Sequence, residues 1–335
     1  MRLSVSLGLW QDRPPEEALD TARAADAAGY PELWIGEMAT WDAFALGTAI
    51  GSATSLALTF GPLAVTVRDP ATIAMGVASV AALTGRDTGV ALGTSSDVVV
   101  RGWHGRSRDR AATALEESAV AVRQLIGGAK SAVDGSVVGS QGYRLRLPAP
   151  KSSLTIAAFG PRALDVAARH ADRMVINLVS PAAAASLVQG LHAACERAGT
   201  TPPPVAAWVV GAVDPSEAAI EQLRRGVVGY LAAPGYADMF RAEGFGDLVD
   251  FARTRPHPRE LLAAVPAEAI AAVGLLGSRD AVARKIADFA AAGVDELAIV
   301  PAASDDDPGG ARTLTEIFSA VRVDPASRRS TRSHD

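Results

Sequence analysis

Apolar residues in this chain recur in two alternating rhythms. Short unbroken runs suit strands buried on both faces, and stretches with an apolar residue every third or fourth position suit helices with one buried stripe. Arg2 to Leu9 predicts a first strand ending at Trp10. Pro14-Pro15-Glu16-Glu17 opens a helix whose Leu19, Ala22 and Ala25 face inward until Gly29 stops it. Glu32 to Gly36 predicts a second strand, Phe44 to Ala53 a helix, and Leu56 to Val67 a long third strand interrupted by Gly61-Pro62. Pro70 starts the next helix, which runs to Gly85, and Thr88 to Gly93 is a fourth strand. Leu115, Ala119, Val122 and Ile126 then fall on one stripe of a long helix.

The run Leu154 to Phe159 predicts a fifth strand that feeds directly into Gly160-Pro161. Proline suits a first helical position, so a helix follows, and Asp172 to Leu178 returns as a sixth strand. Ser180-Pro181 caps the next helix, Val205 to Val213 is a seventh strand, and Asp214 reads as a helix cap with Glu217 three residues on. Ser278 caps a helix carrying Val282, Ile286 and Phe289. Glu296 to Pro301 is the eighth strand, and Leu314, Ile317, Phe318 and Val321 mark the last helix. Two stretches break the alternation. Residues 127–150 are rich in glycine and turn formers and predict a β-ribbon insertion, and residues 230–266 predict short helices and turns. The expectation is one domain over 1–323 with a polar tail over 324–335.

Eight strands alternating with helices define a parallel α/β fold, and eight is the number that closes a (β/α)8 TIM barrel. A doubly wound open sheet is the alternative, but no Gly-x-Gly-x-x-Gly follows the first strand. At 335 residues and 49% hydrophobic, the chain can build one large barrel core. A net charge of −5 without basic clusters argues against a nucleic-acid surface, and no apolar run reaches the length of a membrane span. The single cysteine, Cys195, sits on a helical pattern among alanines and reads as a small core residue. With no signal-peptide pattern at Met1, the expected compartment is the cytoplasm.

In a barrel the chemistry sits where the strands end. Those positions here include Trp10, Glu37-Met38, Gly61-Pro62, Gly93-Thr94-Ser95-Ser96, Phe159 to Arg162, Asn177 and Pro301. Gly160-Pro161 at a bare helix N-terminus offers an anion site from oriented N–H groups. Gly93 to Ser96 offers small residues that a ligand can approach. Together they describe a pocket for a flat molecule with a phosphate-bearing tail. The five histidines are scattered, none pairs with a carboxylate at metal-ligand spacing, and no nucleophile elbow or Walker sequence occurs, so no metal is expected.

Seven segments in order carry a resemblance. They are Ala25 to Glu37 (ADAAGYPELWIGE), Val67 to Pro70 (VRDP), Ala91 to Ser96 (ALGTSS), Trp103 to Gly105 (WHG), Ile156 to Pro161 (IAAFGP), Tyr230 to Tyr236 (YLAAPGY) and Ala292 to Leu297 (AGVDEL). In these the chain resembles the bacterial luciferase-like superfamily, and within it the branch that uses the deazaflavin coenzyme F420. The resemblance implies an oxidoreductase that moves a hydride between coenzyme F420 and a small organic substrate, as a homodimer. It leaves open two alternatives: a monooxygenase using flavin mononucleotide (FMN), and an F420-binding protein without turnover.

The resemblance also implies a cis peptide at Gly61–Pro62 against which the ring rests. The phosphate would lie at Gly160, Pro161, Arg162 and Ala163, with Ala158 just before them. Gly93, Thr94, Ser95 and Ser96 would line the tail and ring edge, and Glu37 would touch the ring or its polyol. Met38 stands where several such dehydrogenases carry a histidine or an acid, and methionine cannot move a proton. Glu37 is the expected substitute donor, ahead of Asp42, Asp97 and His104. Trp10, Met38, Trp41, Trp103 and His104 are expected to shape the substrate pocket.

Overall fold

The computed structural model describes residues 1–10, 12–37 and 39–322. Met38 and the tail from Asp324 lie outside the described residues. Eight parallel strands close into a barrel: β1 (Arg2–Ser6), β2 (Glu32–Ile35), β3 (Ala57–Ala64), β4 (Thr88–Gly93), β5 (Ser153–Ala157), β6 (Arg173–Asn177), β7 (Val205–Val213) and β8 (Glu296–Pro301). Each pairs with the next, and β8 returns to β1 with Arg2 opposite Glu296. A ring of helices surrounds it: α1 (Glu17–Ala28), α2 (Ala43–Ala53), α3 (Pro70–Thr84), α4 (Ala111–Ile126), α5 (Pro161–His170), α6 (Pro181–Ala198), α7 (Arg279–Ala291) and α8 (Ala311–Arg322).

The caps follow simple chemistry. Asp42, Asp69, Ser180 and Ser278 each accept a hydrogen bond from a free N–H in the first turn of their helix. Two local readings need correction. The cap of the helix after β7 is Ser216, which accepts from the Ala219 N–H, because its hydroxyl sits one residue before the first turn and Asp214 does not. A further strand, Leu275–Gly277, extends the sheet beside β7; three residues are too few to show a period.

Between β7 and α7 the chain makes a long excursion through helices Glu217–Val228, Tyr236–Ala242, Gly246–Arg253, Pro258–Ala264 and Ala267–Val273. Between α4 and β5, an antiparallel ribbon pairs Ala132–Asp134 with Gly139–Gln141.

Period-two alternation divides each strand between two burial environments. Leu3, Val5, Leu33, Ile35, Leu92, Ile156, Ile176 and Ile299 join the large core between sheet and helices. Trp34, Ala91, Val175, Ala206 and Ala298, with Ala157 and Trp208 beside them, form a separate cluster inside the barrel. Below that cluster, at the strand starts, lies a buried ionic group. The Arg173 guanidinium donates to Glu32 at 2.8 and 3.0 Å and to Glu296 at 2.8 Å, and lies 4.2 Å above the Trp34 ring. Arg2 reaches Glu32 from the rim at 2.7 Å, Ser4 donates to Glu296, and Thr59 donates to Glu32.

Burial alone would push the Glu32 carboxyl up. The bonds and charge of Arg173, helped by Thr59 and Arg2, outweigh that and hold it below the ordinary carboxylate range. Glu32 therefore stabilises the fold fully above its unfolded-state pKa, and that contribution is lost as pH falls through the lowered folded value.

Replacing Arg173 by Met should leave two buried carboxylates with Arg2 as their one cation among the described residues and destabilise the protein by about 3–5 kcal/mol at neutral pH. Because unpaired buried carboxylates take up protons readily, that loss should shrink when urea unfolding is repeated near pH 5. A loss that is small, or the same at both values, would show that the cluster does not hold the barrel.

Candidate functional site

The C-terminal ends of the strands enclose a cavity of about 720 Å³, within the range typical of ligand pockets. Its floor is the inner face of Trp208, which meets Trp34 edge-on with centroids 5.8 Å apart. Around the wall, Leu7 to Trp10 follow β1, Gly36 and Glu37 follow β2, and Pro62, Ser95, Ala157 and Asn177 come from β3 to β6. Val210 and Val300 complete the strands' share, and Arg225, Gly226, Gly229 and Tyr230 enter from the excursion after β7.

Glycine makes one wall possible. The Gly61–Pro62 peptide is cis, and the register of β3 against β4 shifts between Phe60 and Leu63. Gly61 has φ +114°, and a Cβ there would stand 2.2 Å from the Ala91 carbonyl oxygen. The shift presents Pro62 to the cavity. A Cβ on Gly93 would lie 3.1 Å from the Pro62 Cβ and 3.4 Å from the Ala157 Cβ, so Gly93 lets these two apolar side chains of the wall pack together from behind.

Gly160 begins α5 in extended conformation with no side-chain cap, and a Cβ there would meet nothing within 4 Å. The start of the helix is therefore open to a ligand, with its dipole favouring an anion. Among the described residues Trp208 Nε1 is buried without a hydrogen-bond partner, as are Ser6 Oγ, Thr66 Oγ1 and Ser118 Oγ. Buried polar atoms in that state mark places where a ligand or water completes the set. Pro62 and Ala157 thus give the cavity an apolar stretch of wall and Trp208 an unpaired N–H at its floor, while the uncapped start of α5 lies outside the lining.

Of the residues expected at the site, Trp10, Glu37, Pro62 and Ser95 line the cavity. Gly61 and Gly93 shape it from behind, the latter buried with its carbonyl bonded to the Val65 N–H. Ala158 is buried and donates its N–H to Val175. Gly160, Pro161 and Arg162 are exposed at the α5 start, and Ala163 is half-buried. Thr94 and Ser95 are strapped by Arg108, which donates to the Ser95 carbonyl at 2.9 Å and to the Thr94 hydroxyl at 3.3 Å. Ser96 caps the π-helical turn Val98–Trp103 by accepting from Val99.

Trp41, Trp103 and His104 are not among the side chains lining the cavity. Trp41 donates to the Pro15 carbonyl beside a separate hollow of about 30 Å³, and Trp103 and His104 are exposed at the end of the π-helical turn. Trp10 is folded back, its ring close over Gly8 and against Gly226.

Glu37 is fully engaged. Arg68 grips both its oxygens, one at 2.8 Å, and the Ala43 N–H donates to it at 3.2 Å. The same guanidinium bonds Asp42 and lies over the Phe44 ring. Burial pushes the Asp42 carboxyl up, but the Ala45 N–H and Arg68 outweigh it and hold it below the ordinary range. Trp208, Arg68, Arg225 and Asp12 were not singled out from sequence. The only signal for Trp208 is its place at an inward position of a predicted strand.

A (β/α)8 barrel with a ligand cavity at its strand ends defines an enzyme-type scaffold, though not a reaction. The luciferase-like monooxygenase family model matches residues 3–296, and the chain belongs to that family. A Mycobacterium tuberculosis protein named as a coenzyme F420-dependent oxidoreductase is 24% identical, covering 91% of this chain and 96% of its own length. Among solved structures, an F420-dependent secondary alcohol dehydrogenase in complex with an F420-acetone adduct superposes with TM-score 0.78 at 18% identity, over 96% of this chain and 99% of its own. An FMN-bound type II Baeyer–Villiger monooxygenase of Pseudomonas putida gives 0.69 at 18% identity, over 96% and 98%. At such identities these structures share the fold.

Arg68→Met should cost about 1–2 kcal/mol in urea unfolding, since it strips a shared cation from two half-exposed carboxylates. A change within error would mean that solvent already screens the Glu37–Arg68–Asp42 group.

Proposed function

We propose that this protein is an oxidoreductase that binds coenzyme F420 at the barrel mouth and moves a hydride between it and a small organic substrate. The observation that carries the reading is the apolar Pro62 and Ala157 on one cavity wall, backed by Gly93, together with the open N-terminus of α5 at the same end of the barrel. The F420-dependent names of relatives spanning nearly the whole chain support it. When bound, the deazaflavin supplies a two-electron hydride carrier.

In this reading Pro62 and Ala157, backed by Gly93, support one ring face and leave the other toward the cavity. Gly160 to Ala163 bind the phosphate by backbone N–H groups and dipole. Glu37, fixed by Arg68, presents an oriented carboxylate edge to the ring or its polyol. Trp208 closes the floor and keeps water out from below. Catalysis would then be mostly positioning, with the residues of this cavity holding a substrate against the exposed ring face.

The second reading is an FMN-dependent monooxygenase, favoured by the likeness to the FMN-bound structure and by a pocket shape that both rings share. Titration with oxidised F420 and with FMN, followed by tryptophan emission, separates the two. F420 should bind more tightly, and flavin preference with substrate-dependent oxygen uptake would replace this reading by the second. Tight F420 binding without hydride transfer to or from any ketone, aldehyde or alcohol in a broad panel would leave an F420-binding protein without turnover.

Gly160→Trp should weaken F420 by at least about tenfold. The fold should be unaffected, because the added side chain meets open space. Unchanged affinity would sink the phosphate assignment.

A further inference from the structure

Four titratable side chains line the main cavity: Asp12, Glu37, Arg225 and Tyr230. Three are committed to protein partners. Asp12 accepts from Arg225 and from Gln222 at 3.2 Å, and Glu37 is held by Arg68. The Tyr230 hydroxyl has no hydrogen-bond partner among the described residues, and neither has the side-chain carboxamide of Asn177.

Tyr236 ties these two groups together. Its ring stacks on Phe159 at 4.5 Å and tilts against Tyr230 at 4.9 Å, and its hydroxyl donates to the Asn177 carbonyl at 3.1 Å. Burial pushes the Tyr236 phenol up, so it stays a donor and the arrangement stays fixed. The half-exposed phenol of Tyr230 and carboxamide of Asn177 are thus both left with donors that a ligand oxygen or water in a mostly apolar cavity can answer. A carbonyl oxygen has two lone pairs, one for each donor.

We propose that Tyr230 and Asn177 form the oxygen-binding subsite of the cavity, recognising the carbonyl of a ketone or aldehyde, with Tyr230 as its proton donor. The proton-donating part rests on the hydride-transfer reading above. In the reducing direction the carbonyl carbon gains a C–H bond from the hydride of the reduced cofactor, which leaves oxidised. The C=O π bond breaks, its electron pair goes to oxygen, and that oxygen takes the Tyr230 proton. The phenolate regains a proton from water at the cavity mouth. The same groups run the step backwards for a secondary or primary alcohol.

The test uses para-dimethylaminocinnamaldehyde, whose absorption moves to longer wavelength when its carbonyl oxygen accepts hydrogen bonds, added to the cofactor-free protein. The wild type should bind it with a red shift. Tyr230→Phe, which keeps the ring against Tyr236, should lose most of the shift and bind about tenfold more weakly. Asn177→Ala, which keeps the backbone carbonyl that Tyr236 uses, should lose part of both. F420 affinity should not change in either variant.

No shift in the wild type, or a full shift in Tyr230→Phe, overturns the subsite. If Tyr230→Phe keeps the full shift while the wild type transfers hydride, the subsite falls and the function stands. Loss of the shift in the variant, with no hydride transfer by the wild type, retires the function and leaves the oxygen-binding pair.

Discussion

The barrel depends on Arg173. Inward positions along the strands are mostly serine, alanine and glycine, so a few large side chains must fill the lumen. Arg173 does so from below, as the joint partner of Glu32 and Glu296 and the support of the Trp34 ring. Trp34 in turn donates its indole N–H to Ser4 and Glu296 at 3.2 Å and stands edge-on to Trp208. A continuous stack therefore runs from the ionic floor to the base of the cavity. Burying such charges costs several kcal/mol per ion, and the full set of hydrogen bonds only offsets that. The group's value lies in joining the starts of β1, β2, β6 and β8 in one register rather than in net stability.

This separates the two ends of the molecule. The strand starts carry charge that is internally neutral, two arginines against two glutamates, and offer nothing to a ligand. The strand ends carry small residues and a shifted β3, which leave room for one. In a (β/α)8 barrel the first end governs stability and the second governs chemistry. Here the Trp34–Trp208 pair is the boundary between them.

Much of this was legible in the chain. Thr88–Gly93, Val205–Val213 and Glu296–Pro301 fall where the apolar runs lie, because strands buried on both faces leave an unbroken signal. Gly61-Pro62 and Gly160-Pro161 were readable because glycine and proline restrict the backbone locally. The ionic floor was not, since Arg173 and Glu32 are 141 positions apart and each sits at an ordinary strand start. Glu37 was readable as a strand-end acid, but its engagement with Arg68 depends on a loop 31 residues on. Trp41, Trp103 and His104 lie in the right loops but beyond the part that reaches the cavity. Sequence marks a loop as belonging to the mouth without saying how deep a side chain descends.

The wall after β7 differs from the rest in origin. All eight strands contribute residues from their own ends, and after β7 the excursion adds Arg225, Gly226, Gly229 and Tyr230. That segment is latched to the first loop by Asp12 with Arg225 and Gln222, and Trp10 lies against Gly226. The patch that suits a ring is built from β3, β4 and β5, on backbone geometry that tolerates little change at Gly61. The Tyr230 hydroxyl, without a partner among the described residues, instead sits just beyond a helix that can be altered without disturbing a barrel strand. In the proposed reading, cofactor fit and substrate choice fall to different parts of the chain. A change of substrate among proteins of this architecture is therefore expected to be written in the excursion, while the barrel strands stay as they are.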